Sequence, residues 1–160
     1  MARLYSASFT SQTVANASGD YELFEIDPAT DKPIEVYALE LVVTSELAEA
    51  QEEWIAIQVI RGHATDGTGG ASATPRPLRE TDQAAGFTVD TLRTAIASTG
   101  TPVTLHASGF NVRAGYSWGP VPYEYGWGIA AAAGLLVIRM STTVADDVTM
   151  SGTIYVREDG

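Results

Sequence analysis

The stretch that decides the fold is Val103-Thr-Leu-His-Ala-Ser-Gly-Phe-Asn-Val-Arg-Ala-Gly-Tyr-Ser-Trp-Gly-Pro-Val-Pro-Tyr-Glu-Tyr-Gly-Trp127. From residue 110 to residue 118, apolar and aromatic side chains alternate with polar or small ones. A period of two is typical of a strand with one buried face, so the pattern predicts a strand over 110–118. The strand leads into a loop at 119–127 that is rich in proline, tyrosine and tryptophan.

The same kind of pattern recurs along the chain. Period-two alternation or β-branched apolar runs predict further strands at 3–14, 21–26, 34–44, 54–61, 101–107, 134–141 and 148–158. Residues 34–44 and 134–141 are apolar on both faces, which predicts strands in the interior of a sheet. The simplest topology for the last two strands is a closing hairpin.

Two other segments are harder to interpret. Residues 45–53 combine glutamates with small residues, which fits either a single helical turn or an acidic connector. For residues 78–104 we expect short strands and turns.

About eight strands with little helix indicate an all-β fold, an antiparallel β-sandwich of the jelly-roll type with long loops. An immunoglobulin-like sandwich is the alternative.

The length of 160 residues predicts a single domain over 1–160. A Gly-, Ser-, Thr- and Pro-rich segment at 62–77 predicts a long loop, either mobile or functional. The charge of −11 comes from 20 acidic and 9 basic residues, a balance that disfavours binding to nucleic acid or to an anionic membrane surface. The absence of cysteine excludes disulfides and cysteine-bound zinc.

Residue types that could perform catalysis or bind metal do not form a recognisable site. His63 and His106 lack metal-binding spacing, and we place His63 in a flexible loop and His106 on or beside a strand. Ser108 reads as a turn serine rather than a nucleophile. Acidic pairs suit a solvated surface better than a hydrolase, and calcium at 27–31 or 63–70 has no loop motif to support it. We therefore expect no enzyme activity, no cofactor and no metal-binding residue.

The aromatic loop is the best candidate for function. Trp118, Tyr123, Tyr125 and Trp127 lie within ten positions of one another. Tyrosine and tryptophan are enriched where a partner buries a surface, because they bring a large area with few rotatable bonds. These four residues are predicted partner contacts, while stacking on sugar rings and capping of the open end of the sandwich are the two alternatives.

Several segments also resemble small proteins of tailed-bacteriophage and prophage structural gene clusters. They are residues 109–124, the terminal segments 135–140 and 148–158, the Glu52-Glu53-Trp54 sequence that leads into Ile60-Arg61-Gly62, and the Thr74-Pro75 pair of the glycine-rich loop. This chain departs from the usual pattern at 120–124, where relatives carry one proline and this chain has a more aromatic version.

The resemblance implies a virion component, most like a capsid decoration (cement) protein. Such a protein would be made in the host cytoplasm, bind the major capsid protein on the outer surface of the shell, and form a homo-oligomer, with a trimer favoured. A carbohydrate- or receptor-binding module of a phage particle is the alternative function.

Overall fold

A computed structural model describes residues 2–16, 19–45, 52–119 and 125–160. Within these ranges the chain forms twelve strands and no helix, so no helix there could span a membrane. The strands are β1 (Arg3–Val14), β2 (Tyr21–Asp27), β3 (Ile34–Val43), β4 (Trp54–His63), β5 (Ala71–Ser72), β6 (Arg76–Pro77), β7 (Thr88–Arg93), β8 (Val103–Asn111), β9 (Tyr116–Trp118), β10 (Trp127–Ile129), β11 (Leu135–Met140) and β12 (Val148–Glu158).

The strands form two antiparallel sheets that pack face to face. One sheet has the order β10-β3-β12-β1-β6, with β9 also paired to β3, and the other has the order β5-β7-β2-β11-β4-β8. Long strands therefore lie in the middle of each sheet. Short strands lie at most of the edges, and β8 is the exception.

The connections between the sheets are those of a jelly roll. Strands β1, β12, β3 and the β9/β10 pair form one four-stranded layer, and β2, β11, β4 and β8 form the other. The predicted sandwich is therefore confirmed, with twelve strands instead of about eight. The extra strands arise because β9 and β10 share one position and because β5, β6 and β7 are inserted between β4 and β8.

The main core lies between the two sheets and draws on both. In β11 the alternate side chains of Leu136, Ile138 and Met140 are fully buried against it. The other face of β11 is buried as well, because Leu135 and Val137 form a second cluster with Ile60 and Ala97. Segment 95–98 thus covers the outer face of this sheet, which explains why residues 134–141 read as apolar on both faces.

The predicted continuous strand over 110–118 is wrong. Strand β8 ends at Asn111, and a turn follows in which the N–H of Ala114 donates to the carbonyl of Asn111 at 2.8 Å. Gly115 takes a φ of 71°, and the chain then crosses to the other sheet as β9. The alternation persisted through the turn because Val112 is also buried, so a period of two alone did not reveal the break.

The predicted closing hairpin is also wrong, because the last two long strands belong to different sheets. Strand β11 pairs with β2 and β4, whereas β12 pairs with β1 and β3. Both strands bury apolar side chains against the same core, and in this jelly roll the last two strands lie on opposite layers.

Segment 62–77 is more ordered than its composition indicated. It contains the end of β4 and the short strands β5 and β6, and bridges join Thr65 to Ser98 and Thr68 to Ala95. His63 is buried at the end of β4 and does not lie in a flexible loop. In segment 45–53, residues 46–51 lie outside the described residues, so the helical-turn interpretation stays a prediction.

Candidate functional site

One side of the sandwich is formed by the edge strands of both sheets. Strand β8 is the edge of one sheet, and β9 and β10 lie at the facing edge of the other. Aromatic side chains from these three strands fill the space between the two edges. We call His106, Tyr116, Trp118 and Trp127 the aromatic cluster.

The centre of the aromatic cluster is a pair of stacked indole rings. The ring centroids of Trp118 and Trp127 lie 3.5 Å apart, with an angle of 16° between the ring planes. The ring centroid of His106 lies 5.1 Å from that of Trp127. The Nε2 atom of His106 lies 2.8 Å from the hydroxyl oxygen of Tyr116. Trp127 is only 6% exposed, so most of its ring packs against other residues of the protein.

Burial sets the protonation of the aromatic cluster. It lowers the pKa of His106 and raises the pKa of Tyr116, although a hydrogen bond with Ser108 opposes the second shift. Both groups are therefore held in their neutral forms around neutral pH. The neutral imidazole of His106 packs against two indole rings. None of the four residues of the aromatic cluster is a carboxylate that could form an acid–base pair with it.

The start of β10 is anchored by a close backbone contact. A Cβ atom on Gly126 would lie 2.1 Å from the carbonyl oxygen of Val36, so the chain can approach β3 here only with glycine. The N–H of Gly126 also donates to Glu35, whose other oxygen pairs with Arg157 at 2.6 Å. These contacts hold Trp127 in register with β3.

The predicted contact residues have different surroundings. Trp118 is partly buried and Trp127 is buried in their mutual stack, whereas Tyr125 is 81% exposed. Tyr123 lies outside the described residues. His106 and Tyr116 were not predicted as part of this group, although Tyr116 has the same parity as Trp118, because their contact depends on the crossing from one sheet to the other.

A second group of interacting polar side chains lies on the outer face of the sheet that contains β2, β4, β7 and β11. We call Glu22, Glu25, His63, Arg93 and Arg139 the charged network. Glu22 accepts from Arg139 at 2.7 Å and from the N–H of Ala97 at 2.9 Å, and Glu25 accepts from the N–H of Gly67 at 2.7 Å. Arg93 lies 3.3 Å from Glu25, and the Arg139 guanidinium is 3.4 Å from His63.

The charged network holds two surface segments, one around Gly67 and one around Ala97, against the sheet. Burial raises the pKa of Glu25 to about 7, the neighbouring carboxyl of Glu22 adds to the rise, and the Gly67 N–H and Arg93 oppose it. Such a value suits a general acid or base, yet Glu22 and Glu25 are 0% and 3% exposed beneath the segments that they anchor. A substrate cannot reach these carboxyls, so the network is structural.

Three acidic pairs could be considered for catalysis: Glu46/Glu49, Glu52/Glu53 and Asp146/Asp147. The first pair lies outside the described residues. Glu53 accepts from the N–H of Ala145 at 2.6 Å, while the Glu52 side chain is 72% exposed. Asp147 accepts from the N–H of Asn16 at 2.9 Å. In the described ranges, no group of three or more His, Asp or Glu side chains could hold a metal ion.

A groove of about 520 Å³ lies on the opposite side of the sandwich, between β1 and the β5/β7 edge. Its walls are uncharged and rich in hydroxyl groups, with contributions from Ser8, Thr10, Ser72 and Thr94. Phe9 and Tyr21 lie at its base, but they are only 6% and 5% exposed. The groove therefore offers little aromatic area for a ligand.

Comparison of the chain with family models, with curated proteins and with solved structures found no significant match.

Proposed function

We propose that this protein is a non-enzymatic structural protein of a phage particle that binds the outer surface of the capsid and stabilises it. The supporting observation is the side of the sandwich that carries the aromatic cluster. There an exposed tyrosine, Tyr125, projects from a segment anchored on a rigid indole stack and a close backbone contact. A large exposed aromatic side chain on an anchored segment is the type of residue that dominates protein interfaces.

The charge and the sequence resemblance support the same function. A chain with a charge of −11 is suited to the outside of a capsid and is repelled by packaged DNA. The segments that resemble phage structural proteins include β9, β11 and β12, so the resemblance extends over both sheets of the jelly roll. Binding to the major capsid protein, self-association and a location on the virion surface are parts of this proposal.

Capsids that lack the protein provide the direct test. The protein should co-sediment with such capsids and raise the temperature at which they release DNA. Tyr125→Ala should weaken binding by about tenfold, which corresponds to ~1.4 kcal/mol, without changing the stability of the free protein, because the side chain is exposed. Leu78→Ala, at an apolar residue that is 50% exposed beside β6, is the matched control.

Two results would count against the proposal. If the unaltered protein does not bind capsids, the capsid function is wrong. If it instead binds a glycan array, the carbohydrate-binding alternative is supported, and Trp118, the less buried of the two stacked indoles, becomes the ring to substitute.

A further inference from the structure

Strand β8 is the one long strand of the described chain whose second edge is open along its length. It pairs with β4 over Val103–Asn111, and no described strand pairs with its other side. An open edge presents unpaired backbone N–H and C=O groups to any strand that can approach it. Natural edges are usually protected by charged side chains, proline, short length or bulges.

Most of these protections are absent from β8. The strand has nine residues, with no proline and no Asp, Glu, Lys or Arg. The whole of residues 94–112 is free of those charged residues, in a chain with a net charge of −11. A register shift opposite Val59 and Ile60 interrupts the strand near His106, which leaves the part from Ala107 to Asn111 regular.

The hydrogen-bonding pattern identifies the groups that face outward. The N–H of Val112 donates to the carbonyl of Glu53, so this pair is a hydrogen-bonded one, and bonded pairs alternate along an antiparallel ladder. In agreement, the carbonyl of Ala56, which lies opposite Gly109, accepts from Ser141 instead. The backbone groups of Ala107 and Gly109 therefore point away from β4, into the open edge.

The side chains beside these groups leave room for another strand. Ala107 and Gly109 are small, and a Cβ at Gly109 would lie 2.5 Å from the indole nitrogen of Trp54, so Trp54 covers this residue on the outer face. Trp54 is 62% exposed and offers apolar area next to the edge. An incoming strand would gain both backbone hydrogen bonds and contact with this ring.

We infer that the occupant of this edge is β8 of a second copy, paired antiparallel about a twofold axis near Ser108. In a twofold interface, residues near the axis meet their own copies, so a charged strand would oppose like charges. An uncharged strand avoids this repulsion even though each copy carries a charge of −11. With Ser108 on the axis, Ala107 faces Gly109 of the second copy, and the outward backbone groups of both can bond.

This pairing specifies how the self-association in the proposed function occurs, and it differs from the trimer that the resemblance implies. A twofold strand pair joins the two β8-containing sheets into one continuous sheet. The overall negative charge opposes the approach of two copies, so added salt should strengthen the dimer by screening that repulsion. Dimerisation can be measured without capsids, which separates it from the proposed capsid binding.

The test is sedimentation equilibrium of the purified full chain across a concentration series. We expect a monomer–dimer equilibrium for the unaltered protein, and Ala107→Lys should weaken it by about tenfold or more. Ala71→Lys makes the same substitution at an exposed residue on the opposite edge of the same sheet and should leave the equilibrium unchanged. A monomer at all concentrations, or equal dimerisation of both variants, would overturn the inference.

Amide hydrogen exchange provides a readout that does not depend on a substitution. On dimerisation, the N–H groups of Ala107 and Gly109 should become protected, whereas those of Ser108 and Phe110, already bonded to β4, should change little. If a dimer forms without new protection at Ala107 and Gly109, the two copies associate through another surface and the strand-pairing inference is wrong.

Discussion

At the scale of single residues, the same residue type has different roles at different burial. Tyr125 is exposed beside the aromatic cluster, whereas Tyr5 is fully buried and its hydroxyl donates to the carbonyl of Gln83 at 3.1 Å. Glutamates show the same contrast, because Glu25 is 3% exposed within the charged network while Glu52 is largely exposed. The environment, not the residue type, decides which of them affects stability.

The buried carboxyl of Glu25 should make stability depend on pH in an unusual direction. Its pKa is raised from 4.5 to about 7, so the folded state holds its proton more tightly than the unfolded state does. The contribution of this group is fully present below pH 4.5 and is lost as the pH rises to about 7. The free energy of unfolding should fall over this interval by at most about 3 kcal/mol from this group.

Urea unfolding across this pH interval, compared between the unaltered protein and Glu25→Gln, measures the effect. Glutamine can still accept from the N–H of Gly67 but does not titrate, so the variant should lose this fall in stability. Parallel stability–pH curves for the two proteins would show that Glu25 does not titrate as described.

At the scale of elements, β8 has two edges with opposite tolerance of proline. Ser108 lies four residues before the bonded Val112, so it has the same place in the alternation and uses its backbone N–H in the ladder to β4. The N–H of Ala107 points outward instead. Ser108→Pro should destabilise the monomer by about 1–3 kcal/mol, because it removes a ladder hydrogen bond, and Ala107→Pro should cost much less. Thermal unfolding at a concentration where the protein is monomeric measures the difference.

The order of the two effects is the decisive result. If Ala107→Pro destabilises the fold as much as Ser108→Pro does, then both N–H groups are used inside the monomer. The open edge described for β8 would then be wrong, and with it the proposed strand pairing.

At the scale of the whole molecule, the two ends of the chain meet in the same sheet. Strand β12 lies between β1 and β3, and Tyr5 is in register with Val156. Such pairing closes nearly the whole chain into a loop before the sheet gains its hydrogen bonds. Topologies dominated by distant contacts fold slowly for this reason.

Refolding should therefore take on the order of milliseconds to seconds, and not microseconds. Stopped-flow fluorescence can follow refolding, because Trp127 passes from solvent into its stack with Trp118 when β9 and β10 join β3. A submillisecond refolding phase with full amplitude would contradict this expectation.

Ile154→Ala, at a fully buried residue of β12, should lower stability by about 2–5 kcal/mol. Comparing its effect on the refolding rate with its effect on stability tells whether β12 is formed in the rate-limiting step.

Local pattern alone determined the fold class and the position of most long strands. Alternation and β-branched runs are properties of adjacent residues, so β1, β3, β4, β11 and β12 could be recognised within a few positions of their ends. The composition likewise determined the acidic charge, and the density of aromatic residues identified the segment in which Tyr125 lies exposed.

Only the tertiary structure decided which residues meet across the two sheets. The turn after Asn111 could not be read from a period of two, because Val112 remains buried within it. The contacts of His106 with Trp127, and of Glu22 with Arg139, join residues far apart in the chain. The open edge of β8 is likewise a property of sheet order, since a strand is an edge only when nothing else in the fold pairs beside it.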